Sequence, residues 1–144
     1  MLDDSAVFER VRCHMLAQQA VSEDEDGSCC LRGYQGRKCA IGCLIREEYY
    51  HPALEPLGIS YFQNYPDSPL LQALAASGVN VRSRPLIDLL IELEDIHDGC
   101  AVSDWPSRLE RVGRQHGFVD DQSSSMPAGN FLTLREGSDR DSPA

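Results

Sequence analysis

Apolar residues return at helical spacing in several separate stretches of this chain. Phe8, Val11, Met15 and Leu16 share one face of residues 3–20, where Asp3, Asp4 and Ser5 are placed to cap the start. Ser68-Pro69 opens a short helix with Leu70, Leu71, Leu74 and Ala75, and Gly78 follows its end. The most regular stripe is Leu86, Leu89, Leu90, Leu93 and Ile96 within 84–98, with Asp88, Glu92 and Asp95 facing out, which predicts the central rod of the core. Ser103-Asp104 then caps a last helix along which Trp105, Leu109, Val112 and His116 are spaced before Gly117.

The pattern changes between Cys29 and Tyr50. Cys29 to Tyr34 and Arg37 to Cys39 read as two short extended segments turning on Gln35-Gly36. From Cys39 the positions of Ala40, Ile41, Leu44 and Ile45 predict a short helix to Tyr50, with Cys39 and Cys43 on one face at i, i+4. Before this stretch, Ser22 to Ser28 is a solvated acidic loop. After it, residues 51–66 form an irregular loop whose rings, Tyr61, Phe62 and Tyr65, pack on the body. The expected fold is therefore α+β and mainly helical, with about four amphipathic helices and one small β-hairpin. Residues 1–119 make a single globular domain. Residues 120–144, rich in Ser, Asp, Gly and Pro, make a disordered, flexible C-terminal tail in which Asn130 to Leu134 is a candidate docking segment.

Composition narrows the functional classes. At 42% hydrophobic and 25% charged residues, the chain has the make-up of a soluble globular domain. It contains no apolar run of membrane-spanning length, and its acidic start is unlike a signal peptide, so a cytoplasmic protein is expected. The net charge of −10 opposes direct nucleic-acid binding, which relies on cationic contacts to phosphate, and favours a protein partner with a basic surface. Oligomeric state has no readable signal.

Four of the six cysteines lie between residues 29 and 43. In a reducing compartment such a cluster points to metal, to catalysis or to free thiols that pack as small hydrophobes. A zinc site would combine Cys39 and Cys43 with Cys29 or Cys30 and a histidine, His97, because thiolate and imidazole suit tetrahedral zinc. A thiol enzyme would take Cys39 or Cys43 as nucleophile, activated by a helix N-terminus, Arg37 and Lys38, with His97 as base and Asp98 or Asp95 orienting it. The histidine also fits a purely structural position in the last turn of its helix. Gly33-Tyr34-Gln35-Gly36-Arg37-Lys38 fails as a phosphate-binding loop, since Cys39 stands where a hydroxyl residue is required. A tight turn using positive glycine φ angles accounts for it better.

The block Arg32, Gly33, Gly36, Lys38, Cys39, Ala40, Gly42, Cys43, Leu44, Ile45, Glu47, Glu48 and Tyr49 resembles the signature of an uncharacterised family of small bacterial and phage proteins. That signature is an Arg-Gly turn, then Lys-Cys-Ala-x-Gly-Cys-Leu-Ile, then an acidic residue and a tyrosine. The resemblance continues in Leu93, Ile96, His97, Asp98, Trp105 and Leu109, covering roughly 5–118; Arg46 stands where proline is expected and Tyr50 is inserted. It implies a phage, prophage or mobile-element accessory protein that binds, and thereby inhibits, a host or defence protein. Arg32, Tyr34, Arg37, Lys38, Tyr49 and Asp98 are the candidate binding residues. A non-enzymatic interaction protein is thus the first functional expectation, and a zinc-binding or cysteine-dependent domain the alternative.

Overall fold

The structure, a computed structural model, describes residues 1–55 and 58–118. Of these, residues 1–109 form one compact unit and 110–118 belong to a second. Five α-helices are present among the described residues: α1 (Asp4–Gln18), α2 (Ile59–Phe62), α3 (Pro69–Ala76), α4 (Arg84–Gly99) and α5 (Trp105–Gln115). Side chains cap α1, α3 and α4 as the sequence implies. Asp3 accepts from the Ala6 amide at 2.8 Å, Ser68 from Leu71 and Ser83 from Leu86, and a proline lies in the first turn of both α3 and α4.

In the first unit α4 buries Leu86, Ile87, Leu89, Leu90, Leu93, Ile96 and His97, and it packs against both α1 and α2. The face α1 brings is Val7, Phe8, Val11 and Met15. Trp105 at the start of α5 is 1% exposed and stacks on His97, ring centres 5.5 Å apart. In the second unit the remainder of α5 carries an ion pair between Arg114 and Glu110 at 2.9 Å. No helix among the described residues is long and apolar enough to cross a membrane.

Two expectations for residues 29–50 are corrected. The β-hairpin is not formed, and with it the α+β class falls: among the described residues there are only isolated antiparallel bridges, Glu23 to Cys29 and Arg32 to Lys38, in a mainly helical chain. The donors that would extend a ladder are taken by side chains. Leu31 and Arg32 donate their N–H groups to the Glu55 carboxylate at 2.8 and 3.1 Å, and Lys38 donates to the Gln18 side chain at 3.0 Å. The helix predicted from Cys39 to Tyr50 breaks into two short 3₁₀ turns, Gly42–Leu44 and Glu47–Tyr49, because Ile45 and Arg46 are extended and the Arg46 amide goes to the Ser77 hydroxyl. The loop predicted over 51–66 in turn contains the single-turn α2. The expected tail, 120–144, with its segment Asn130 to Leu134, lies outside the described residues.

The glycines of this region serve different needs. Gly36 has φ +71 with open space around it, as a tight turn requires. Gly33 and Gly42 have no such angle; they allow close approach. A Cβ on Gly33 would lie 2.5 Å from the Glu23 carbonyl oxygen, and one on Gly42 would lie 2.1 Å from that of Leu31. Gly42→Ala is therefore expected to cost about 3 kcal/mol or more, since backbone must move, whereas Gly36→Ala costs about 1 kcal/mol for its backbone angle alone. Chemical denaturation of the two variants checks the order, and equal losses would contradict the close-approach assignment.

Candidate functional site

The loop 19–50 is pinned to the end of α4 by His97. This ring is fully buried, and its Nε2 accepts the Ser22 amide proton at 3.0 Å. The proton of the neutral ring therefore sits on Nδ1, which donates to the Asp98 carboxylate at 2.6 Å. The Cys29 thiol stands beside the same carboxylate, and the ligand atoms of Cys29, His97 and Asp98 lie within 4.8 Å of one another.

This cluster opens onto a cleft of about 280 Å³ lined by Cys29, Cys30, Leu31, Cys39, Glu55, Gly58, Ser60, Tyr61, Glu94 and Asp98. Three carboxylates face it, and no lysine or arginine lines it among the described residues. Glu94 and Asp98 come from one face of α4, four residues apart. Glu94 accepts from the Ile59 amide at 3.2 Å and the Ser60 hydroxyl at 3.3 Å at the start of α2. Gly58 makes this approach possible, because a Cβ there would stand 2.6 Å from the Glu94 carboxylate. Burial, opposed by the Ile59 amide and reinforced by the Asp98 charge, holds the Glu94 pKa above the ordinary carboxylate value. On the other side, Glu55 accepts the Leu31 and Arg32 amides and the Tyr50 hydroxyl, whose own pKa is raised by burial and by that carboxylate.

The structure separates most of the residues singled out from the sequence. Of the proposed zinc set, Cys29, Cys30 and Cys39 line the cleft; Cys43 does not, and its thiol donates to the Ala40 carbonyl at 3.2 Å. Cys39 is buried, with its sulfur accepting the Gly42 amide at 3.2 Å. His97 meets Cys29, whereas the thiol-enzyme reading paired it with Cys39 or Cys43. Neither of its nitrogens offers a free lone pair to a metal or a thiol: Nε2 accepts from Ser22, and Nδ1 carries the proton. All four thiols are also pushed away from reactivity. Burial, then the Asp98 charge, takes Cys29 up to about 12; burial takes Cys43 up to about 12 and raises Cys39; burial and Glu55 raise Cys30. A nucleophilic cysteine needs the opposite shift.

Among the candidate binding residues only Asp98 faces the cleft. Arg32 lies over the Tyr50 ring at 4.4 Å, pairs with Glu47 and donates to the Ile45 carbonyl at 2.9 Å, so it braces the loop. Lys38 stands 3.9 Å from Glu47, and the Arg37 carbonyl accepts from the Ser22 hydroxyl at 3.2 Å and from the Gly33 amide. Tyr34 and Tyr49 are exposed, and Arg46 lies over the Tyr49 ring. The residues that sequence reasoning missed are Glu55, Glu94, Ser60 and Tyr61. Only the i, i+4 spacing of Glu94 and Asp98 signalled them in advance. His14 on α1 donates from its ring to the Lys38 carbonyl at 2.7 Å and helps dock the loop on that helix.

No protein-family model matches this chain, and neither a curated protein nor a solved structure is significantly similar to it.

The Asp98 carboxylate raises the Cys29 pKa, so Asp98→Asn lowers it and exposes more thiolate near neutral pH. Alkylation of Cys29 by iodoacetamide at pH 8.5, followed by peptide mass analysis, is expected to accelerate in this variant. An unchanged rate would show that Asp98 does not control the thiol.

Proposed function

We propose that the protein is a small, non-enzymatic interaction protein that binds a basic segment of another protein, and that the cleft seats an arginine or lysine side chain. The observation that carries this reading is the charge of the cleft: Glu55, Glu94 and Asp98 line it, with no cationic side chain beside them among the described residues. Burial and the Asp98 charge both disfavour the charged form of Glu94, so a cationic head placed between the two carboxylates offsets that cost. A volume of about 280 Å³ is enough to admit a single long side chain. Tyr61, 60% exposed at the rim, adds a ring face for the same cation.

The net charge of −10 works in the same direction by steering a basic partner and repelling phosphate. Through the resemblance to small phage and bacterial proteins, the reading extends to an accessory protein of a phage or mobile element that acts in the cytoplasm on a host or defence protein. The zinc- or thiol-dependent alternative has less support, because His97 is committed at both nitrogens and Cys43 stands apart from the cleft.

The test uses a fluorescein-labelled peptide with two arginines in a Gly-Ser background. Binding is expected to weaken with salt and to survive Cys43→Ser. Glu94→Gln/Asp98→Asn should weaken it by about tenfold or more, while the charge-matched loop variant Glu25→Gln/Asp26→Asn stays within roughly twofold of the parent. Because burial makes Glu94 take up its proton at a higher pH than an ordinary carboxylate, and protonation removes the charge that holds the cation, affinity should fall as the pH is lowered and begin to fall at a higher pH in the parent than in Glu94→Gln. Equal losses in the cleft and loop variants would reduce the binding to nonspecific attraction and overturn the proposal.

A further inference from the structure

Beside the acidic cleft runs a second, open groove of about 610 Å³ lined by Tyr61, Phe62, Asn64, Tyr65, Pro66 and neighbouring polar residues. Tyr61 lines both, so the two adjoin at one ring. Tyr61, in α2, and Tyr65, in the turn beyond it, are each 60% exposed, with ring planes 29° apart and centres separated by 6.5 Å. Phe62 meets Tyr61 edge-on at 4.9 Å and fixes its orientation. Exposed aromatic rings that stack on each other form a shelf with apolar faces and hydroxyl donors at the edge.

Resting on the reading of the cleft as a cation seat, we propose that the occupant is an extended, proline-containing segment of a partner protein, with proline on the tyrosine shelf and an adjacent arginine or lysine in the cleft. A polyproline II segment advances about 6.2 Å over two residues, close to the separation of the two rings, and it loses little conformational entropy on docking. Its carbonyls have no internal hydrogen bonds and need outside donors, which the tyrosine hydroxyls and the Asn64 amide supply. The shelf is too short for an amphipathic helix, which needs apolar anchors over two or more turns. Nucleic-acid bases would also stack on tyrosine, but their phosphates would then lie against Glu94 and Asp98. The order of features along the groove therefore sets a polarity: the basic residue lies at the Tyr61 end and proline toward Tyr65.

The experiment compares two fluorescein-labelled peptides of equal length and charge, each with two arginines, one in a Gly-Ser background and one in which prolines replace the glycines and serines on one side of the arginines. The proline peptide is expected to bind about threefold to tenfold tighter. Tyr65→Ala, which touches the groove and not the cleft, should remove that advantage and leave the Gly-Ser peptide unchanged. Equal affinity for the two peptides, or an advantage that survives Tyr65→Ala, overturns the shelf while leaving the cation seat standing. Failure of both peptides to bind overturns the shelf and the seat together. A proline peptide without arginine that binds as tightly as the one with it also overturns the proposal, by making the cleft irrelevant.

Discussion

A stretch of backbone without long helix or sheet still has to place its N–H and C=O groups, and residues 19–50 do so with backbone pairs inside the loop and, at the N–H groups of Ser22, Leu31, Arg32, Lys38 and Arg46, with side chains drawn from elsewhere. Gln18 serves Lys38, Glu55 serves Leu31 and Arg32, His97 serves Ser22, and Ser77 serves Arg46. Each of these bonds joins the loop to a different part of the first unit. The loop is consequently held by α1, by α4 and by the turn after α3 at once, and those helices are held to each other through it. The same demand explains why Gly33 and Gly42 carry no side chain: the loop segments approach so closely that a Cβ would displace a carbonyl oxygen.

The cleft is a by-product of this arrangement. His97 is turned inward to accept the Ser22 amide, which leaves Asp98 beside it at the surface and Glu94 one turn earlier facing α2. Glu55 faces the same space from the other side because the loop needs its oxygens. Carboxylates recruited as backbone acceptors and ring partners thus converge, and the thiols between them are kept protonated by burial and by those charges. The strongly acidic character of this point owes more to hydrogen-bond satisfaction than to any single charged motif.

The helices were readable in advance because their causes are local. A serine or aspartate, a proline in the first turn, and leucines three and four residues apart all act within one or two turns, so α1, α3 and α4 follow from neighbouring residues alone. The hairpin expected at Cys29–Cys39 also rested on local signals, Gly36 and alternating short segments, and failed for a non-local reason. Its ladder donors are claimed by Gln18 and by Glu55, 20 to 24 residues away in the chain. The expected helix over Cys39–Tyr50 failed in the same way, its Arg46 amide being taken by Ser77, 31 residues on.

What the sequence by itself determined is therefore the set of capped amphipathic helices, the burial of the α4 stripe with His97 on it, and the acidic balance of the chain. Only the tertiary structure decided where the chemistry gathers. Which nitrogen of His97 carries a proton depends on Ser22, 75 residues away, and which carboxylates share a cleft depends on how loop and helices meet. Periodicity records which face of an element is buried; it holds no record of which distant acceptor completes a backbone hydrogen bond, and that pairing sets the site.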